Sequence, residues 1–124
     1  MPKFSANLSM MFNEVPFLDR FAAARDAGFK AVEYLFPYDY APEVIAERLA
    51  ACGLENNLFN MPPGNWAAGE RGITCIPGRE EEFRAGVEKA ILYATRLGVK
   101  RVHAMAGVPP AGSDPAACKA TMIA

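Results

Sequence analysis

One junction constrains this chain more than any other feature, because it occurs twice in full and once in weaker form. Gly28-Phe29-Lys30-Ala31-Val32 and Gly98-Val99-Lys100-Arg101-Val102 share the order Gly, apolar, Lys, any residue, Val, and Gly53-Leu54-Glu55 is the weaker copy. A helix-spaced pattern runs up to each glycine and an extended pattern follows it. Glycine enters the left-handed conformation at little cost and so closes a helix. The few residues after it read as a short strand.

The elements on either side follow from periodicity. Phe83, Val87, Ala90, Ile91, Ala94 and Leu97 recur at threes and fours, which predicts one face of a helix. Glu80, Glu81 and Glu82 open that helix and Arg96 closes it, as the macrodipole favours. Ile45, Leu49 and Cys52 form a shorter stripe after Pro42, and Phe17, Phe21 and Ala24 another between Pro16 and Gly28. The expected strands are Phe4–Leu8, Ala31–Leu35, Glu55–Phe59 and Arg101–Met105. Ser113-Asp114-Pro115 starts a last helix over 116–124. Strands alternating with helices predict an α/β fold with a parallel sheet and right-handed crossovers. A doubly wound sheet and a (β/α)8 barrel both begin in this way. A barrel takes about 250 residues, so 124 residues with about four β-α units are half of one. The chain reads as one partial barrel domain over 1–124, the N-terminal part of a longer protein.

Composition narrows the function classes. Thirteen Lys and Arg against fourteen Asp and Glu leave a net charge of -1, too little to hold a phosphate backbone, so nucleic acid is not expected as a partner. No apolar run approaches the roughly 20 residues of a membrane helix, and no membrane partner is expected. The first twelve residues lack the apolar core of a signal peptide, which reads as cytoplasmic. Three widely spaced cysteines, Cys52, Cys75 and Cys118, fit reduced thiols. One histidine, His103, without a Cys-x-x-Cys, leaves zinc spacings absent.

Lys3-Phe4-Ser5-Ala6-Asn7-Leu8-Ser9-Met10 opens the chain, and Val32-Glu33-Tyr34-Leu35-Phe36-Pro37-Tyr38-Asp39-Tyr40 ends the second expected strand. Asn60-Met61-Pro62-Pro63-Gly64-Asn65-Trp66-Ala67-Ala68-Gly69-Glu70-Arg71-Gly72 follows the third, running on to Ile76-Pro77-Gly78-Arg79-Glu80. On these segments the whole chain resembles the N-terminal half of the hydroxypyruvate isomerase family, among the xylose-isomerase-like TIM barrels. The Trp-Ala-Ala-Gly-Glu-Arg-Gly stretch is the specific part, whereas Gly-Phe-x-x-Val-Glu is common to the wider superfamily. The resemblance implies an aldose–ketose type isomerisation of hydroxypyruvate to tartronate semialdehyde through an enediol. It also implies a divalent metal, Mg or Mn, polarising the substrate oxygens. A sister group of 2-oxo-tetronate isomerases, and sugar epimerases of the same superfamily, are the neighbouring readings; an inactive half-barrel is the non-enzymatic one. In the family the metal ligands and catalytic glutamates come from later strands. The resemblance therefore assigns no catalytic or metal residue here and implies that this chain is inactive alone.

The residues present still offer substrate contacts. The stretch 61–78 is long for a loop after a strand, and barrel active sites sit on such loops. A hydroxy-oxo-acid substrate carries a carboxylate, and arginine grips carboxylates bidentately. Arg71 is therefore the first substrate-binding candidate, against a role pairing with Glu70. Glu70 is a second candidate. Trp66 is a third, as a pocket wall or as an anchor for the loop. Asn7 comes last, near the end of the first strand, against hydrogen bonding to a neighbouring strand. Glu33, a carboxylate in an apolar strand, needs a partner and is expected either behind the substrate contacts or as a satisfied core acid. Tyr38, Asp39 and Tyr40 read as a solvated turn with a cap, Met10, Met11 and Phe12 as packing, and His103 as a core or rim residue. Unpaired barrel edges on the first and fourth strands predict self-association.

Overall fold

The computed structural model describes residues 1–124. In chain order it forms β1 (Ser5–Asn7), a 3-10 turn at Phe17–Asp19, α1 (Arg20–Asp26), β2 (Ala31–Glu33), α2 (Pro42–Cys52) and β3 (Glu55–Asn60). A second 3-10 turn at Trp66–Ala68, then α3 (Glu80–Leu97), β4 (Val102–His103) and α4 (Pro115–Ile123) complete it. The strands form one sheet in the order β1-β2-β3-β4. β2 pairs parallel with β1 on one side and β3 on the other. The repeated junction does what its residues dictate: Gly28, Gly53 and Gly98 have φ of 91°, 60° and 68° just past α1, α2 and α3.

Three strands are shorter than expected. The physical reason is clearest at β2, where the Leu35 amide donates to the Ser9 Oγ at 2.9 Å instead of to a neighbouring strand.

The chain divides into two compact units, Met1–Phe59 with Leu92–Val102, and Asn60–Ile91 with His103–Ala124. In the first, Ala6, Leu8, Phe21, Ala24, Val32, Ile45 and Phe59 are fully buried. Tyr34 joins them, edge-on to Phe17 at 5.4 Å and to Phe21 at 6.0 Å. Burial pushes its phenol pKa upward, so it stays neutral. The segment after β2 is a turn, closed by the Tyr40 amide donating to the Pro37 carbonyl at 3.2 Å, but its tyrosine rings are packed rather than solvated. Tyr38 stands edge-on to Tyr93 at 5.1 Å and Phe59 at 6.2 Å, and Tyr40 stacks on Phe17 at 5.5 Å. The Tyr93 hydroxyl donates to the Tyr40 carbonyl at 2.7 Å. Aromatic area draws both rings inward, so that of these three residues only Asp39 is exposed. Nor does this segment cap α2, whose N-cap is Ala41 without a side-chain bond.

Met10 and Met11 are exposed rather than packed, while Phe12 meets Phe29 edge-on at 6.5 Å. The apolar stripe of α3 is right except at Ile91, which is exposed while Tyr93 is buried. In the second unit, Ile73, Cys75, Ile76 and Cys118 make a small core with Phe83 against it. All three cysteines are free thiols.

Candidate functional site

Each strand ends on a polar residue: β1 on Asn7, β2 on Glu33, β3 on Asn60 and β4 on His103. The parallel register sets Asn7 beside Glu33. The Asn7 amide Nδ2 donates to Glu33 Oε1 at 3.4 Å, and its Oδ1 accepts from the Ser9 amide at 3.0 Å. Asn7 therefore turns the chain out of β1 and also makes the expected hydrogen bond to a neighbouring strand, through Glu33. The main chain repeats the tie, since the Leu8 amide donates to the Glu33 carbonyl at 2.8 Å. Arg20 secures the same turn by donating to the Leu8 and Val15 carbonyls at 2.7 and 3.0 Å.

Glu33 is half-buried, and its carboxylate has one neutral amide as partner. It keeps acceptor capacity for a ligand hydroxyl. Beside it the pairing slips: Val32 faces Asn56 but Glu33 faces Leu58. One extra residue, Asn57, thus lies in β3, and a bulge of this kind re-aims the side chains beyond it. Asn56, buried at the start of β3, donates to the Tyr34 hydroxyl.

Asn60 was not singled out from sequence, although a polar residue closing an extended run is the signal that would have found it. It is buried, and its amide reaches the Met105 sulfur at 3.8 Å. His103 is exposed, not a core residue.

The long loop after β3 gathers Trp66, Glu70 and Arg71 and adds Arg79, which sequence reasoning passed over. Its neck is closed by the Gly72 amide donating to the Pro63 carbonyl at 2.9 Å. Asn65 caps the 3-10 turn, its Oδ1 accepting from the Ala68 amide at 3.0 Å. Arg71 does not pair with the Glu70 carboxylate. Its Nη1 donates to the Glu70 carbonyl at 2.8 Å and the Trp66 carbonyl at 3.2 Å. Its guanidinium lies 3.8 Å from the centre of the Trp66 ring, a cation–π stack.

Glu70 is engaged elsewhere. One oxygen accepts from Arg79 Nη1 and the other from the Asn65 amide. The Arg79 hydrogen bond, and then the Asn65 one, hold its carboxyl below the usual glutamate range. Both oxygens are thereby occupied, which makes Glu70 a tie within the loop. Trp66 is 38% exposed and carries the Arg71 guanidinium over its ring.

A family model described as xylose isomerase-like TIM barrel matches residues 21–124. The chain belongs to that family. It is 55% identical over 123 residues to a 2-oxo-tetronate isomerase of Cupriavidus necator, covering 99% of this chain and 47% of that protein. It is 54% identical over 123 residues to a hydroxypyruvate isomerase of Escherichia coli, covering 99% of this chain and 48% of that protein. A crystal structure described as AP endonuclease, family 2, from Brucella melitensis matches with a TM-score of 0.96 at 56% identity. That match covers 99% of this chain and 47% of the other. The chain spans about half the length of the curated relatives it matches. Its four parallel strands and their helices correspond to the N-terminal half of a xylose isomerase-like barrel.

In such barrels the C-terminal strand ends and the loops after them carry the chemistry. In this xylose isomerase-like chain Asn7, Glu33, Asn60 and His103 are the last residues of β1 to β4, and the loop 61–78 follows β3. No three of its His, Cys, Asp or Glu side chains gather as a metal donor set. These residues do not fit a divalent metal by themselves.

Proposed function

We propose that this chain contributes the carboxylate-binding part of an isomerase acting on short hydroxy-oxo-acids, with hydroxypyruvate and tartronate semialdehyde as the interconverted pair. The observation that carries the reading is the state of Arg71. Its Nη1 is tied to two carbonyls, it makes no ion pair, and its flat face lies on Trp66. That leaves the Nε and Nη2 edge to grip a carboxylate in the bidentate geometry that guanidinium favours. Trp66 backs the bound acid. In the isomerisation, a proton leaves the hydroxymethyl carbon beside the ketone and a proton returns to the former carbonyl carbon, with an enediol between. A divalent Mg or Mn belongs to this reading as an expectation, held by side chains beyond the donors present here. A DNA backbone would call for a basic field; the net charge of -1 provides none and supports a small-molecule substrate.

The second reading is a 2-oxo-tetronate substrate, supported by the relative at 55% identity. Steady-state kinetics of the protein as encoded, with both acids, decide between them. Arg71→Ala is expected to raise KM for the preferred acid about 10-fold or more, since charge-assisted hydrogen bonds contribute roughly 1.5–3 kcal/mol. Unchanged KM with a lowered melting temperature would make Arg71 structural.

A further inference from the structure

Arg79 lies outside every substrate contact named above, yet the loop is organised around it. Its Nη1 donates to one oxygen of Glu70. Its other edge forks onto Glu82 in the first turn of α3, with Nε and Nη2 donating at 2.9 and 2.8 Å. Glu70 works in two directions. Its side chain is held by Arg79 and by the Asn65 amide, while its carbonyl takes Arg71 Nη1 at 2.8 Å. Gly64 leaves the space this requires, because a Cβ there would strike Glu70 Oε2.

We propose that Arg79 is a positioning residue: acting through Glu70, it sets the orientation of the Arg71 guanidinium on Trp66 and so the direction of its free carboxylate-binding edge. The inference rests on the reading of Arg71 as the carboxylate grip. The Arg79 side chain is 28% exposed and that of Glu70 33%, and partly exposed ion pairs contribute little to stability. The arrangement should therefore register in binding geometry more than in thermal stability.

The test is a double-mutant cycle in the protein as encoded, read as KM and kcat for hydroxypyruvate and for 2-oxo-tetronate, with melting temperatures alongside. Arg79→Ala is expected to raise KM about 10-fold with kcat within about 2-fold and little change in melting temperature. Arg79→Lys, which keeps one charged donor toward Glu70, should restore KM to within about 3-fold. Adding Arg79→Ala to Arg71→Ala should raise KM no further, because the two act in series. Effects of R71A and R79A that multiply would show that Arg79 acts on its own, as a field or a second contact, and would overturn the proposal. So would an R79A KM equal to that of the parent protein, or a KM rise matched by a collapse of kcat and melting temperature. An unaffected R71A variant, or no turnover of either acid, would remove the reading of Arg71 itself and this inference with it. A weakened R71A beside an unaffected R79A would remove this inference alone.

Discussion

Glu70 and Gly64 show how single residues set the loop. The Glu70 carboxyl titrates below the usual range because the Arg79 guanidinium and the Asn65 amide stabilise its charged form. A depressed folded-state value makes the tie fully present above the ordinary carboxylate range, about 4.3 for glutamate. The tie is lost as pH falls through the lower folded value. Trp66 is the only tryptophan among these residues and lies in the same loop, so its emission reports the change. From pH 7 to 5 the emission should hold, then shift in more acidic solution, with the midpoint moved upward in Arg79→Ala. A transition above pH 5 in the parent chain would contradict the assignment. Gly64 has φ of +77° and no room for a side chain, with Ile73 Cγ2 2.9 Å from where a Cβ would lie. Gly64→Ala is expected to destabilise by about 1–2 kcal/mol from backbone strain alone, and further by displacing Glu70. Urea unfolding measures it, and a neutral result would mean that the loop opens at little cost.

Among the elements, the segment after β2 departs furthest from its composition. Tyr38-Asp39-Tyr40 carries the polar spacing of a turn, yet its rings pack with Phe17, Phe59 and Tyr93. The Tyr93 hydroxyl, on α3, donates to the Tyr40 carbonyl 53 positions earlier in the chain. Tyr93→Phe keeps the ring and removes that bond, at an expected cost of about 0.5–1.5 kcal/mol. Equal midpoints of thermal unfolding for the two proteins would show that the carbonyl finds water instead. The neighbouring Ile91 is the converse case: helical spacing placed it on the buried face, but α3 turns Tyr93 inward and leaves Ile91 60% exposed.

For the whole molecule, the order β1-β2-β3-β4 leaves β1 and β4 as sheet edges. Unpaired strand edges template association with other chains, and parallel sheets are ordinarily covered on both faces. Phe4, Ile91, Leu92 and Ile123 are all more than half exposed. Covering even ~400 Å² of apolar surface favours association by roughly 10 kcal/mol before the entropy of joining is counted. The 124-residue chain on its own is therefore expected to elute larger than 13.4 kDa in size-exclusion chromatography with light scattering. A monodisperse monomer whose β1 and β4 amides exchange slowly would contradict this.

Short-range signals were legible without a structure. Helix spacing, the glycine after each helix, and proline or acidic residues in first turns act within four or five residues of where they stand. They located every helix and strand to within a few positions, made the sheet parallel and marked 61–78 as the unusual loop. The resemblance carried by the Trp-Ala-Ala-Gly-Glu-Arg-Gly stretch supplied the barrel. Partnership was not legible, because it depends on which distant residues the fold brings together. Glu70 chose Arg79, nine positions on, over its neighbour Arg71, whose guanidinium turned back onto Trp66 and two carbonyls. Asn7 met Glu33, 26 positions away, because parallel pairing fixed their register, and one extra residue in β3 broke that register beyond Val32. A charged side chain long enough to reach several partners is committed only by backbone geometry and packing, and tertiary structure alone decides those.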